Sequence, residues 1–542
     1  MYTLEQNQAT MEREPVTSAL EQPAADRPAP TPWHPFTRFS FRVAFIFFVL
    51  MSIPNNPEWY TNLFSIDWLH VHYRDIYDIA RFQPSFVRGI PGIPSLLGYA
   101  DWFAALAIAL AGAGIWTALD RKRVEYNILY YWLRVIVRYR AGIGIIGFGF
   151  TKLFPVQMPY PSLGLLHTNF GDFTAQKIYW LSIGIVPWYQ VFAGIVEVAA
   201  GALLFYRRTT FLGAVLLFGA LGDIVYVNFA YDGGVHGYSS YFVLYAAFLM
   251  LYDVPRIYRL LIQERLTIPV HYYPSFAKGW LKYSRYALKT ATLVIFLGIL
   301  FYAQYINFRY DPYKQPSTPG VAKLRGAYQV TEFRLNNQVI PYNPLDSTRW
   351  QDVTFEKWTS LTYKVNKATL LDLSNGGGSP MKDLQRTFEA TGVAGGQRVF
   401  HYYADTLNQV LYLQDKVVDM SAFRNQNGRG NRADRNQSPN SQKSRVKPAP
   451  ADNWIPAAAL ANIGDENTKI DKRAWSTRRN REFAEPDRPV KRNRMVLKYS
   501  TPTASRIILR GIDERKDSVL VVLDKVDREY TLSESTLVAG QY

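Results

Sequence analysis

Lys152, Glu197 and Asp223 are ionisable groups set inside otherwise apolar runs of a 542-residue chain. A charge in hydrocarbon is costly and needs a partner or a role. Lys152 closes a run, Tyr126–Phe154, that also carries Arg134, Arg138 and Arg140; Glu197 is the single charge in Ile178–Tyr206, and Asp223 the single charge in Thr209–Phe229. The step from 134 to 152 is five helical turns. Arg134, Arg138 and Lys152 therefore share one helix face, which should point into a bundle. Gly194 and Gly201 flank Glu197, and Gly219 sits one turn before Asp223. Small residues there let helices approach closely around a carboxylate. Asn228 is a further polar candidate on the Asp223 helix.

Depth can be compared along the helices. Asp223 lies 14 residues beyond Thr209, and Lys152 lies 14 to 18 beyond the two arginines. At the helical rise these are roughly 21 Å and 21–27 Å. Lys152 and Asp223 match in depth and could pair, with Glu197 nearer mid-membrane. One reading is a polar pocket for a lipid-soluble substrate or a proton step, in which a lysine polarises a quinone oxygen or acts as a base. The other is a structural ion pair, with the glutamate hydrogen-bonded to a neighbouring helix.

Other chemistries are narrowed by what the chain lacks. It has no cysteine, which excludes disulfides, thiolate metal sites and covalently attached haem. None of the seven histidines falls in an apolar run, which argues against a bis-histidine haem in the bilayer. His70, His72, His167 and His236 fall in loops on one side, with Asp172 and Asp232. They are weak metal-ligand candidates, because no ligand spacing pairs them. P-loop, zinc-protease and nucleophile-elbow motifs are absent. Gly376-Gly377-Gly378 reads as a flexible loop.

The apolar runs are the elements that must position these groups. They are Phe39–Ile53, Trp102–Leu119, Tyr126–Phe154, Ile178–Tyr206, Thr209–Phe229, Tyr238–Tyr252 and Thr290–Phe308. Their length and apolarity predict about seven transmembrane helices over residues 36–308. Residues 1–35 lack the order of a signal peptide and read as a disordered cytoplasmic tail. Arg121, Lys122, Arg123, Arg207, Arg208 and the Lys/Arg of Asp253–Lys289 fall on one side, which should be cytoplasmic. The N-terminus is then inside and everything after Phe308 outside. The proline-rich stretch Phe154–Leu165 should cap the outer end of the bundle or gate it.

After Phe308 the pattern changes to short alternating runs: Ala327–Leu335, Gln351–Phe355, Leu361–Val365, Arg398–Tyr403, Gln409–Leu413, Met495–Tyr499, Arg506–Arg510 and Ser518–Leu523. Period two with turn residues at Asn336-Asn337 and Asp513–Asp517 predicts an antiparallel β-sandwich or small barrel over 320–542. Residues 424–494 interrupt it, with 17 basic and 8 acidic residues. That segment reads as a disordered basic insert and supplies more than half of the net charge of +17. Nucleic acid is not an expected partner for a segment outside the membrane.

The basic-aromatic helix Tyr130–Arg140, the run ending Lys152-Leu153-Phe154, the Pro155–Ser162 cap, and Gly194-Ile195-Val196-Glu197 followed by Gly201 and Arg207-Arg208 resemble the DoxX-like membrane family. The layout is most similar to its longer bacterial members, which carry a C-terminal β-domain. The resemblance covers about 100–259 and implies a four-helix module within residues 126–260. It also implies a bacterial cytoplasmic-membrane protein with a periplasmic β-domain and a quinone- or isoprenoid-linked redox role. Lys152 and Glu197 would then lie at the pocket, and quinone would be the candidate cofactor. The absence of cysteine speaks against a direct sulfur relay. The competing expectation is a non-enzymatic anchor in the lipid bilayer, whose outer β-domain binds an envelope protein. A transporter is weaker still, since inverted repeats and broken helices are not evident.

Overall fold

The computed structural model describes residues 31–87, 90, 96–267, 272–274, 276, 278–369, 371–377, 381–417, 454–476, 492–528, 530 and 532. The tail 1–30, Gly378 and most of the basic insert lie outside the described residues. The helical half comprises α1 (Pro35–Ser52), α2 (Pro57–Phe64), α3 (Tyr73–Ala80), α4 (Ala100–Leu119), α5 (Asn127–Leu153), α6 (Leu163–Leu166), α7 (Ala175–Gly184), α8 (Pro187–Leu204), α9 (Thr210–Ala230), α10 (His236–Leu251), α11 (Val254–Leu261) and α12 (Gly279–Tyr310). A π-helical turn at Val294–Ile299 lies within α12.

Five helical segments are long and apolar enough to cross a membrane: Pro35–Ser52, Ala100–Leu119, Pro187–Leu204, Arg207–Ala230 and Gly279–Tyr310. The expected count of seven is therefore too high by this measure. The other two expected spans are helices that fall short for different reasons. The 27-residue α5 carries four basic side chains, and α10 has only 16 residues. The expected span Ile178–Tyr206 is also divided. Val186 adopts φ −123°, ψ 74° before Pro187, which opens α8. A residue preceding proline is driven out of the helical region, so α7 is a separate helix. The apolar helices give the bundle the character of a membrane-embedded protein.

Glycines bring α5 and α8 together. A Cβ on Gly194 would come within 2.2 Å of Leu153 N and 2.7 Å of Gly149 O, and one on Gly201 within 3.1 Å of Gly142 O. The two helices thus run antiparallel and touch backbone to backbone at two levels, seven residues apart on each. Tyr77 of α3 packs on Gly147, where a Cβ would meet its ring at 2.8 Å. Helix α3 thereby folds back alongside α5. Arg140 holds its end, donating to Ala80 O at 2.9 Å and Phe82 O at 2.6 Å. A guanidinium at a helix C-terminus satisfies carbonyls that have no intrahelical donor.

The second half is a closed barrel. Its strands are β1 (Gly326–Leu335), β2 (Gln338–Val339), β3 (Asp352–Phe355), β4 (Ser360–Lys364), β5 (Gln397–Asp405), β6 (Val410–Asp415), β7 (Arg494–Thr503), β8 (Arg506–Ile512) and β9 (Ser518–Lys525). All pairs are antiparallel, and β9 returns to β1 from Tyr328↔Lys525 to Leu335↔Val519. Closure leaves the two-residue β2 outside a ring of eight, which decides between sandwich and barrel. Trp350 stacks on Tyr363 at 4.0 Å, and Tyr363 on Phe400 at 5.6 Å. Aromatic and apolar side chains pack the described interior, as in an eight-stranded barrel just wide enough for side chains to fill. Within the basic insert, helix α13 (Ala457–Ile463) packs with Trp454 and Ile455 on Tyr412. Residues 454–476 are thus folded onto the barrel wall, where disorder was expected.

The barrel docks on the loop between α5 and α8. Phe173 pairs with Val393 as an antiparallel bridge, Thr174 N donates to Gly392 O at 2.9 Å, and Ala394 N donates to Asp172 O at 2.7 Å. Phe154–Ser162 forms the cap, held by Gln190, which accepts from Met158 N at 3.0 Å and donates to its carbonyl at 3.2 Å. The basic turns 121–123 and 207–208 lie at the opposite end of the bundle from the barrel.

Candidate functional site

Close packing of α5 on α8 places Lys152 against Glu197. Lys152 Nζ lies 2.6 Å from Glu197 Oε1, and the two residues are 8% and 2% exposed. Glu197 Oε2 is buried with no hydrogen-bond partner. The lysine therefore pairs with Glu197, where a match in depth had pointed to Asp223. Gly194 and Gly201 serve the helix contact and do not line a pocket.

Asp223 projects from α9 on its exposed face. Among the described residues no basic group reaches ion-pair distance of it. It lies within electrostatic reach of Tyr179 of α7, whose ring stacks on Tyr231 at 5.0 Å. Burial, then the Asp223 carboxylate, push the Tyr179 hydroxyl up to about 12, and Glu197 adds to the effect. Asp223, Tyr179 and the Lys152–Glu197 pair thus share one region near the barrel end of the bundle. Trp188, Tyr189, Phe192, Tyr226 and Phe229 are exposed on α8 and α9. An unpaired carboxylate on an apolar, aromatic-lined helix face can accept a hydrogen bond or a proton from a ligand that arrives through the lipid phase.

The other expected pocket residues lie elsewhere. Arg134 sits 3.7 Å from Asp253 and stacks over Tyr252 at the end of α5 remote from Lys152. Arg138 is buried beside Tyr139 with its Nε unpartnered. Asn228 closes the turn after α9, donating to Ile224 O at 2.7 Å and accepting from Val235 N. Three local histidines have their own roles. His70 pairs with Asp67, His72 caps α3, and His236 lies 2.7 Å from Leu97 O. His167 contacts the Tyr530 hydroxyl. Among the described residues no group of three metal-ligating side chains converges, so the histidines do not assemble a metal centre.

Two polar clusters escape local sequence reasoning. The first lies beneath the cap, where Tyr73, Tyr77, Arg74 and Arg81 of the α3 region meet α12. Arg74 pairs with Asp78 at 3.0 Å, and Arg81 lies over the rings of Tyr77 and Phe148. Gln304 and Asn307 are buried on α12 with their amide atoms unpartnered. The second binds bundle to barrel. Fully buried Arg386 pairs with Asp311 at 2.7 Å, and Lys416 with Glu389 at 2.6 Å. Glu356 accepts from Leu163 N at 3.1 Å and Gly164 N at 2.7 Å. Burial pushes the Glu356 carboxyl up to about 7, with Glu389 adding to the rise.

Fold and site together define a helical, membrane-type bundle joined to a closed barrel by buried ion pairs and hydrogen bonds. No family model matches the chain, and no solved structure matches it. It is 31% identical over 87 residues to the "Uncharacterized protein YwoB" of Bacillus subtilis (strain 168). That match takes in 16% of this chain and 56% of the length of the relative.

Proposed function

We propose that this chain is an integral bacterial cytoplasmic-membrane protein of the longer DoxX-like type that engages a quinone- or isoprenoid-type molecule on the lateral face of α8 and α9. Asp223 carries the reading. It is an exposed carboxylate, without an ionic partner among the described residues, in the barrel-side part of a strongly apolar helix and within electrostatic reach of Tyr179, which Glu197 also influences. A polar head group entering from the lipid would hydrogen-bond to Asp223 and Tyr179 while its tail lies against Phe192, Tyr226 and Phe229. The N-terminus is cytoplasmic and the barrel periplasmic, supported by basic turns at the end of the bundle remote from the barrel.

The test is extraction of protein purified in native-membrane nanodiscs. Wild type is expected to carry a quinone or isoprenoid above the level of the surrounding lipid, and Asp223→Asn to lose most of it. Equal, background-level content in both would overturn the proposal. The alternative role, an anchor whose barrel binds an envelope partner, has one observation in its favour: among the described residues the barrel interior is packed with buried apolar and aromatic side chains, which directs recognition to its outer surface. Full complementation by a chain ending after Tyr310 would remove that alternative.

A further inference from the structure

At the end of the bundle remote from the barrel, α5, α12 and the turn between α8 and α9 bring four cations together. Gly142 of α5 packs on Gly201 of α8, so Arg138, about one turn before Gly142, is level with Phe205, about one turn after Gly201. Arg138 is 8% exposed and its Nε is unpartnered; among the described residues no hydrogen bond or ion pair engages its guanidinium. Arg207 follows α8 and lies over the Tyr273 ring at 4.0 Å. On α12, Lys289 Nζ lies 4.0 Å from the Tyr206 ring centre, and Arg285 lies 5.0 Å from the ring centres of Phe276 and Tyr286.

No acid balances this charge. Asp253 is taken by Arg134 at 3.7 Å. The ionisable groups that act most on Arg138 are Tyr139, Tyr131, Arg134 and Arg207, and those that act on Lys289 are Arg138 and Arg285; none is a carboxylate. Arg207, Arg285 and Lys289 rest on aromatic rings and make no ion pair among the described residues. Ring faces orient a cation without neutralising it, and a buried guanidinium without a counter-charge is unfavourable. The exposed rings of Tyr206 and Tyr286 are of the kind that sits at head-group level. Basic pockets between membrane helices take anionic lipid head groups. We propose that Arg138, Arg207, Arg285 and Lys289 together hold the phosphate of an anionic phospholipid, whose acyl chains lie along the apolar run of α12 beyond Lys289. The guanidinium groups donate to the phosphate oxygens, and the lipid supplies the counter-charge that the chain does not. This site rests on the reading of the bundle as membrane-embedded and is independent of Asp223.

Thermal unfolding of the full chain in a neutral detergent tests this, with dihexanoyl phosphatidylglycerol, dihexanoyl phosphatidylcholine or inorganic phosphate added at equal ionic strength. Wild type is expected to show a saturable rise in midpoint of about 2 °C or more with phosphatidylglycerol over phosphatidylcholine. Arg138→Gln should abolish it and Lys289→Gln should weaken it. Lys122→Gln, which removes an exposed charge at the same end of the bundle outside the cluster, should retain it. Equal midpoints of wild type in the two lipids overturn the proposal, as does a full-size rise in Arg138→Gln or an equal rise with inorganic phosphate, which would assign the cluster to a free anion. If Arg138→Gln fails to fold, a full-size rise in the double variant Arg207→Gln with Lys289→Gln overturns the proposal and its loss supports it. A chain that leaves the membrane without detergent would overturn the membrane reading and this site with it. A chain that needs detergent but shows no preference for phosphatidylglycerol overturns the site alone.

Discussion

At the scale of single residues, the buried Lys152–Glu197 pair sets the energetics of the bundle core. Taking both charges out of the surrounding medium costs several kcal/mol, and their contact recovers that only while both are present. Lys152→Ala should therefore destabilise the helical half by about 3–5 kcal/mol, because it strands the Glu197 carboxylate. The double change Lys152→Met with Glu197→Leu should recover most of this. Equilibrium unfolding of wild type, Lys152→Met, Glu197→Leu and the double variant in one cycle would give the coupling. The identity of these residues was legible in the sequence, since charges in apolar runs demand explanation. Their pairing was not legible from depth along the helices; only the family resemblance had set Lys152 with Glu197. Depth along separate helices ignores how far a lysine side chain reaches and which helices adjoin. It paired Lys152 with Asp223, which instead faces outward. The arginines on the same stripe misled for a related reason: a shared helix face spans five turns and serves several different neighbours.

At the scale of elements, close approach decides what substitutions the helices accept. Gly194→Ala drives a methyl into the Leu153 and Gly149 backbones and should cost about 1–3 kcal/mol. Gly219→Ala, with no atom within 4 Å of the added carbon, should be close to neutral; paired thermal melts would check both. Arg140→Met should leave α5 and α8 intact while the amides of Tyr73–Ala80 exchange hydrogen faster, as read by mass spectrometry. Equal protection of α3 in both proteins would remove Arg140 as its clasp. All eight strand segments of the barrel ring were visible as alternating runs, because inside and outside residues differ at every step. The turn at Asn336-Asn337 was visible for its own reason: both residues adopt positive φ. What escaped was the break at Pro187, hidden in a continuous apolar stretch, and the fold-back of α3, a short polar helix with no span-length signal. The helix α13 in the insert was masked by the charged sequence around it.

At the scale of the whole molecule, bundle and barrel form one unit through groups far apart in sequence. Glu356 meets Gly164, and Lys177 meets Phe388, across about two hundred residues. No local spacing could announce such contacts. They make the joint sensitive to pH. The Glu356 carboxyl, raised from 4.5 to about 7, binds more protons folded than unfolded between those values. Its contribution to stability falls as pH rises through that window. Lys177, lowered from 10.5 to about 7, binds fewer protons folded than unfolded. Its contribution rises with pH from 7 towards 10.5. Relative to wild type, Glu356→Gln should therefore lose the downward slope between pH 4.5 and 7, and Lys177→Met the upward slope above 7. Melting midpoints across pH 4.5–10 in the same detergent would show each slope vanish with its own substitution, or fail to.

The pairing of β9 with β1 has a consequence in time. Ribosomes deliver the chain from one end, and the first strand waits through nearly two hundred residues for the last to arrive. Throughout that interval β1 has an open edge, and the cap and α7 stand uncovered, with their buried-to-be charges facing water. Barrel closure must outrun strand-to-strand association between neighbouring nascent chains. Chains halted before Lys525 are thus the species that should draw chaperones and proteases, while chains that pass it vanish from their reach.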